Sequence, residues 1–316
     1  MRPLLMMIVL AAGTALLAAV PVFDNAVLIQ YGINALLFAT LAQSWNIIGG
    51  FTGYASFGNS VFFGLGVYGT AIAMTQFNLP FWAGLCAGGA LSVLCAVLFG
   101  LPVLRLRGHY FAIATLGLSL AVAAVISNLE IAGANNGIIL PLVRADGMFY
   151  ELALGLLVAC VLCVYAISRS RFGMGLIAIR EDEHAAAAMG VNTTLYKTAA
   201  LVLAAFFSAI AGGIYAYWIS FIDPASAFDP TLNVRMVIMA MFGGPGTVLG
   251  PVIGALVLSA VYEVLASWIS TAAALLFGLV IVIAVIFMPR GLTDLAAGIR
   301  RDGPAYLLQN IRRHRL

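Results

Sequence analysis

Charge is scarce in this chain. Only 9% of its 316 residues are Asp, Glu, Lys or Arg, while 63% are hydrophobic and the mean hydropathy is +1.09. An average soluble domain carries about 25% charged residues. A soluble fold is therefore excluded, and an integral membrane protein is expected. Carboxylates are missing altogether between Asn25 and Leu129. Cysteine is limited to Cys86, Cys95, Cys160 and Cys163, all within apolar runs. The spacing of Cys160 and Cys163 suits a metal, but no second ligand pair lies near, so these thiols read as helix packing.

Catalytic signatures are absent too. The sequence has no nucleotide-binding loop, metal-ligand cluster, nucleophile–base pair or dinucleotide fingerprint, so enzyme activity is not expected of this chain. His109 and His184 fall at interface positions and read as hydrogen-bonded filler. Ion-coupled carriers place carboxylates within the membrane to bind the driving ion. Here Glu263 is the only acid deep in a span, and Arg235 the only comparable base. That is thin provision for an autonomous channel or ion-coupled carrier.

What remains is a succession of apolar runs. Residues 4–22 read as a first span, longer than the roughly 7–15 apolar residues of a signal peptide. Further spans are expected at 26–48, from the following glycine-rich stretch to 74, 81–104, 109–127, 148–167, 195–220, 231 onward, a ninth through 268, and 271–288. In the second span Gln30, Asn34, Thr40 and Ser44 fall within an arc of about 120° at 100° per residue, with Gln43 and Asn46 off it. Such a stripe signals helix packing first and a polar pathway second. Two glycine-rich breaks interrupt the pattern, Gly49 to Ser60 and Phe242 to Pro251. The first is too rich in glycine for a stable helix. The apolar run after it is too short to span, so part of the break is expected at membrane depth.

With the N-terminus inside, Arg2, Arg105, Arg107, Arg169, Arg171, Arg180, Lys197 and the arginines of the tail share one side. Asp24, Glu130, Asp146, Glu151, Asp223 and Asp229 share the other, with Arg144 the clear basic exception. This is the positive-inside distribution. The fold class expected is all-α: a polytopic membrane protein of about ten transmembrane helices. The basic tail suits anionic lipid or a cytoplasmic partner, and no globular domain for nucleic acid accompanies it.

The one long polar interval is 168–197. Six charges there would cost on the order of 15 kcal/mol in hydrocarbon, so it lies outside the bilayer. Residues 178–190 read as one short helix, with Gly190 suited to the turn that ends it and Asn192 or Thr193 to the next cap. A charged helix with an alanine face suits docking into a groove of a soluble partner, or is a solvated connection.

Several motifs, in order, resemble the LivM-type permease subunits of branched-chain amino-acid ABC importers. They are Gly49-Gly50-Phe51-Thr52-Gly53-Tyr54, Leu106-Arg107-Gly108-His109-Tyr110-Phe111, Ser170-Arg171-Phe172-Gly173 with Ala178-Ile179-Arg180-Glu181-Asp182-Glu183, Phe242-Gly243-Gly244-Pro245-Gly246-Thr247, and Pro289-Arg290-Gly291-Leu292. The resemblance implies a single permease domain over 1–295, a cytoplasmic coupling loop at about 169–194, and a basic cytoplasmic tail at 296–316. It implies a bacterial cytoplasmic membrane, a second homologous permease, two cytoplasmic ATPases and an extracytoplasmic solute-binding protein. ATP and Mg would be bound by the partners, with no cofactor in this chain. Arg180, Glu181, Asp182, Glu183, Ala186 and Gly190 would couple to the ATPase. Gln30, Asn34, Gly53, Ser56, Asn59, Tyr110, Thr115, Gly243, Gly244 and Thr247 are candidates for the path, with helix packing as the competing role. Gly117-Leu118-Ser119-Leu120 replaces a stretch that often carries an acid, and Ala132 to Gly137 lacks the usual Thr-Gly-Gly. These departures leave urea, amides and related small solutes open as cargo.

Overall fold

The computed structural model describes residues 3–23, 25–143, 145–268, 278–279 and 291–294. Apart from 278–279, the expected span at 271–288 lies outside them, as do the tail at 296–316, Asp24 and Arg144. The long helices are α1 (Pro3–Ala18), α2 (Ala26–Thr52), α3 (Asn59–Thr75), α4 (Phe81–Val103), α5 (His109–Asn128) and α6 (Asp146–Arg169). Two short helices follow, α7 (Arg171–Glu181) and α8 (Glu183–Ala188). Then come α9 (Thr193–Ile219), the single turn α10 (Pro224–Ala227), α11 (Pro230–Gly243) and α12 (Gly250–Trp268). Among the described residues, six helices are long and apolar enough to cross a membrane: α2, α4, α5, α6, α9 and α12.

The chain is mostly helical, as expected, with one small addition. β1 (Ile138–Ile139) pairs antiparallel with β2 (Phe221–Ile222). Two connections cross the same end of the bundle, and each leaves backbone groups needing partners. Leu140 N–H extends the pairing by donating to Ser220 O at 2.8 Å.

Helix boundaries follow local chemistry. Asn25 caps α2 by accepting from Val27 N–H and Leu28 N–H. Gly53 ends α2 at φ 74°, a left-handed conformation that favours glycine. Contrary to the sequence reading, Gly49 and Gly50 remain helical. Trp45 packs over Gly49, and Gly50 lies against the backbone at Gly246, so neighbours supply what propensity withholds.

The non-helical part of the first break is Gly53 to Gly58, and it folds back beside α2. Trp45 Nε1–H donates to Ser56 O at 2.8 Å, and Phe57 N–H to Thr115 Oγ1 at 3.0 Å. Asn59, the first residue of α3, therefore starts partway along its neighbours, and α3 crosses the remaining depth. Next to it, Ser60 Oγ meets Ser119 Oγ at 2.8 Å, and Asn233 Nδ2–H donates to Ser60 Oγ at 2.7 Å.

Packing of α3 against α4 and α9 is backbone against backbone. A Cβ on Gly66 would collide with Ala209, one on Gly69 would lie 2.6 Å from Gly88 Cα, and one on Gly212 would collide with Phe63 O. Lipid gives helices no hydrophobic reason to associate, so close contact through small residues has to supply it. One end of the bundle carries Arg105, Arg107, Arg169, Arg171, Arg180 and Lys197, and is here called the basic end. The acidic end carries Glu130, Asp146, Asp223 and Asp229.

Candidate functional site

At the basic end the single helix expected at 178–190 is two helices, split at Asp182. This residue is extended, at φ −159° and ψ 112°. Its carboxylate accepts from His184 N–H at 2.8 Å and Ala185 N–H at 3.1 Å, capping α8. Those backbone donors, Ala185 first, hold the Asp182 carboxyl below its ordinary value. Gly190 sits at φ 89° after α8, and Asn192 caps α9 by accepting from Leu195 N–H at 3.1 Å, as its sequence position indicates.

The element is anchored by a buried charge cluster. Glu183 Oε1 pairs with Lys197 Nζ at 2.7 Å, where the lysine side chain is 3% exposed and the glutamate side chain 13%. Lys197 also donates to Leu104 O at 3.0 Å and Tyr54 Oη at 3.2 Å. Tyr54 Oη–H donates to Glu183 Oε2, which Arg107 Nε approaches at 3.5 Å. Burial alone would raise the Glu183 carboxyl, but the Lys197 and Tyr54 hydrogen bonds and the Lys197 and Arg107 charges outweigh it, leaving it lowered. Burial, then the hydrogen bond to Glu183, raises the Tyr54 hydroxyl above 10.0. The proton thus stays on the tyrosine and the charge on the glutamate.

Arg180 forms a second anchor. Its Nη1–H donates to Gly50 O at 3.2 Å, and its stem runs so close to Gly53 that a Cβ there would lie 2.9 Å from Arg180 Cγ. A Cβ on Gly246 would lie 2.8 Å from Arg180 Nη1. The guanidinium thus sits between the two glycine-rich breaks. Asn46, on α2 one turn before the first break, binds the second: Oδ1 accepts from Gly246 N–H at 2.7 Å, and Nδ2–H donates to Thr247 O at 2.9 Å. Gln43 Nε2–H adds a bond to Val248 O at 2.9 Å. Within the second break Thr247 Oγ1–H donates to Gly244 O at 2.7 Å.

The coupling candidates therefore divide. Arg180 and Glu183 bond inward and Ala186 is buried, whereas Glu181, Asp182 and Gly190 are exposed; the Arg180 side chain stays 38% exposed and also pairs with Glu181 at 3.1 Å. Met174, Ile177 and Met189 are exposed beside them, Met189 at 86%.

The path candidates fall into three groups. Gly53 lies against the Arg180 stem, while Gly243, Gly244 and Thr247 belong to the second break, whose Gly246 touches the guanidinium. Ser56, Asn59 and Thr115 are buried at the re-entrant loop, and neither amide atom of Asn59 has a hydrogen-bond partner among the described residues. Gln30 and Asn34 line cavities at the acidic end. Tyr110 joins none of them and is 75% exposed on the outward face of α5.

Sequence reasoning missed Asn46, Gln43, Tyr54 and Arg107 as connectors. The available signal was that Gln43 and Asn46 are one turn apart and off the polar stripe, which marks a second polar face. Among the described residues no group of three metal-ligating side chains occurs.

Comparison with known proteins agrees with this architecture. Residues 27–286 match the family described as branched-chain amino acid transport system, permease component. The chain is similar to the high-affinity branched-chain amino acid transport system permease protein LivM of Salmonella typhimurium, 28% identical over 289 residues, covering 81% of this chain and 68% of that protein. The protein of the same name from Escherichia coli is 27% identical over 289 residues, with the same coverage. No solved structure matches significantly. With six membrane-length helices and a family match over most of its length, the chain is a multi-pass membrane protein belonging to the branched-chain amino acid transport permease family.

Proposed function

We propose that this chain is the membrane-spanning permease subunit of an ATP-driven importer that moves branched-chain or other small hydrophobic amino acids inward by alternating access. The basic end faces the cytoplasm of a bacterium, in line with the positive-inside distribution. The ten spans expected from the sequence include the apolar run at 271–288, most of which lies outside the described residues. The chain pairs with a second, homologous permease. Two ATPases that bind ATP and Mg dock on the cytoplasmic side, a solute-binding protein delivers cargo outside, and lipid surrounds the rest.

The observation that carries this reading is the double anchoring of α7–α8. One side of the element holds both glycine-rich breaks through Arg180 and the α9 base through Glu183 and Lys197. The other side leaves Met174, Ile177, Glu181 and Met189 exposed for a partner. A body fixed in this way moves with the breaks it touches. Nucleotide binding in a docked ATPase can shift the permease only if one conformation docks better than the other.

Co-purification from native membranes tests the reading. The result expected is recovery of two ATPases, a sister permease and a solute-binding protein, and ATP-dependent leucine uptake after reconstitution. Uptake by this chain alone in vesicles, without any ATPase, would overturn it.

A further inference from the structure

The anchoring at the basic end leaves two intramembrane charges unused. Arg235 lies five residues into α11 from Pro230, and Glu263 lies five residues before the end of α12 at Trp268. At a rise of 1.5 Å per residue, each is about 8 Å from its helix terminus at the acidic end. Both line the same narrow waist with Asn34 and Ser259. Yet among the described residues they form no ion pair with each other or with any other side chain. The Arg235 guanidinium lies over the Tyr262 ring at 5.1 Å, and Ser259 Oγ is buried without a hydrogen-bond partner among the described residues.

Holding opposite charges apart at membrane depth is costly, since each pays desolvation without the other's compensation. A purely structural pair would close. An unpaired guanidinium, an unpaired carboxylate and an unpartnered hydroxyl around one opening point instead to a ligand with both charges.

The cavities on either side fit such a ligand. Toward the acidic end the waist opens, through Asn34 and Glu263, into a polar vestibule of about 810 Å³ that also contains Gln30 and Asp146. In the other direction it meets, through Asn34, Phe38 and Arg235, a chamber of about 300 Å³ walled by Leu37, Leu41, Phe63 and Trp218. That chamber has the size of a small-molecule pocket, and beside its apolar walls it carries Asn34, Ser226, Asp229 and Arg235.

We propose that this waist and chamber form a holding site for a zwitterionic α-amino acid with a branched aliphatic side chain. Arg235 takes the carboxylate, Glu263 takes the ammonium, and the side chain enters the chamber between Phe38, Phe63 and Trp218. The inference rests on the permease reading above and gives it a place and a selectivity rule. Urea and simple amides carry neither charge and would leave both residues unpaired.

The test uses the assembled importer, purified from native membranes and reconstituted, with Ser259→Cys as reporter in a Cys86→Ser background. Asn34→Cys is a second reporter should the first not assemble. Labelling by a charged maleimide is timed with L-leucine, L-leucinamide, 4-methylpentanoate or urea present. Leucine is expected to slow labelling about tenfold relative to leucinamide or 4-methylpentanoate, the loss that one missing charge-assisted bond produces. Urea is expected to have no effect. Arg235→Gln should make leucine and leucinamide equivalent, and Glu263→Gln should make leucine and 4-methylpentanoate equivalent. A merely structural role for either residue would not remove discrimination for one end of the ligand alone.

Equal protection by leucine and leucinamide without these substitutions, or retained discrimination in Arg235→Gln, overturns the site. Parallel uptake separates the two readings. Leucine transport without leucine protection sinks only this site, whereas an importer that carries no amino acid sinks the permease reading beneath it.

Discussion

Replacing Glu183 by Gln removes the charge that compensates the buried Lys197 ammonium while keeping the side chain's shape. Lys197 Nζ then has only neutral acceptors: besides the introduced amide oxygen, Leu104 O at 3.0 Å and Tyr54 Oη at 3.2 Å. Leaving one partner of a buried ion pair uncompensated costs about 3–5 kcal/mol. Those acceptors place this case near the lower bound, about 3 kcal/mol. The removed contact ties α8 to α9, so the cost is expected as local opening of α7–α8 and not as global unfolding. An opening made easier by about 3 kcal/mol is populated roughly 100-fold more.

Trypsin reads this population, because Arg180 is an internal cleavage point within the element. Digestion is followed by mass spectrometry on inside-out vesicles, in the regime where opening precedes cleavage. Cleavage after Arg180 should accelerate by roughly 100-fold in Glu183→Gln. The double variant Glu183→Gln with Lys197→Met, which removes both charges, should recover most of the protection. A cleavage rate within about twofold of the unaltered chain in Glu183→Gln would refute the anchoring argument.

The remaining predictions concern the same connections. The Glu183 carboxyl is lowered in the folded chain, so its stabilisation is present above the ordinary value of 4.5 and lost as pH falls through the folded value. Trypsin protection of Arg180 should therefore be level near neutrality and should fall only below about pH 4.5. Tyr54 is raised, so its contribution is present below 10.0 and lost only as pH rises through the higher folded value; protection at pH 9 should equal that at pH 7. Asn46→Ala removes both bonds to the second break and leaves Gly246 N–H unpaired, a cost of about 2 kcal/mol, seen as faster hydrogen exchange at residues 244–248. Gly66→Ala forces α3 away from Ala209 and should lower the melting temperature of the detergent-purified chain, whereas Gly155→Ala, where a Cβ meets nothing within 4 Å, should not.

Much of the architecture was legible because lipid enforces simple rules. Apolar runs such as residues 81–104 must be helices, and arginines must gather at one end. The cap at Asn192 and the turn at Gly190 are written in single residues with a local mechanism. The splitting of 178–190 was legible in principle, since Asp182 is a poor helix former and a good cap. Its alanine-rich surroundings masked it. Orientation was not legible. Arg180 and Glu183 read as charges for a partner, yet Gly50 O and Lys197 turn them inward, and those partners lie 130 and 14 residues away. Likewise Gly49 and Gly50 read as a break because propensity is local, while Trp45 and the backbone near Gly246 override it. The β1–β2 pairing joins residues too short as strands to show any alternation.

Labelling of Met189→Cys by a membrane-impermeant maleimide tests the central claim most directly, in vesicles of known orientation with and without the co-purifying ATPases. The account predicts labelling from the cytoplasmic face only, fast on the stripped permease and suppressed when the ATPases are bound. Labelling from the outer face, or at one rate whether or not ATPases are present, would contradict it.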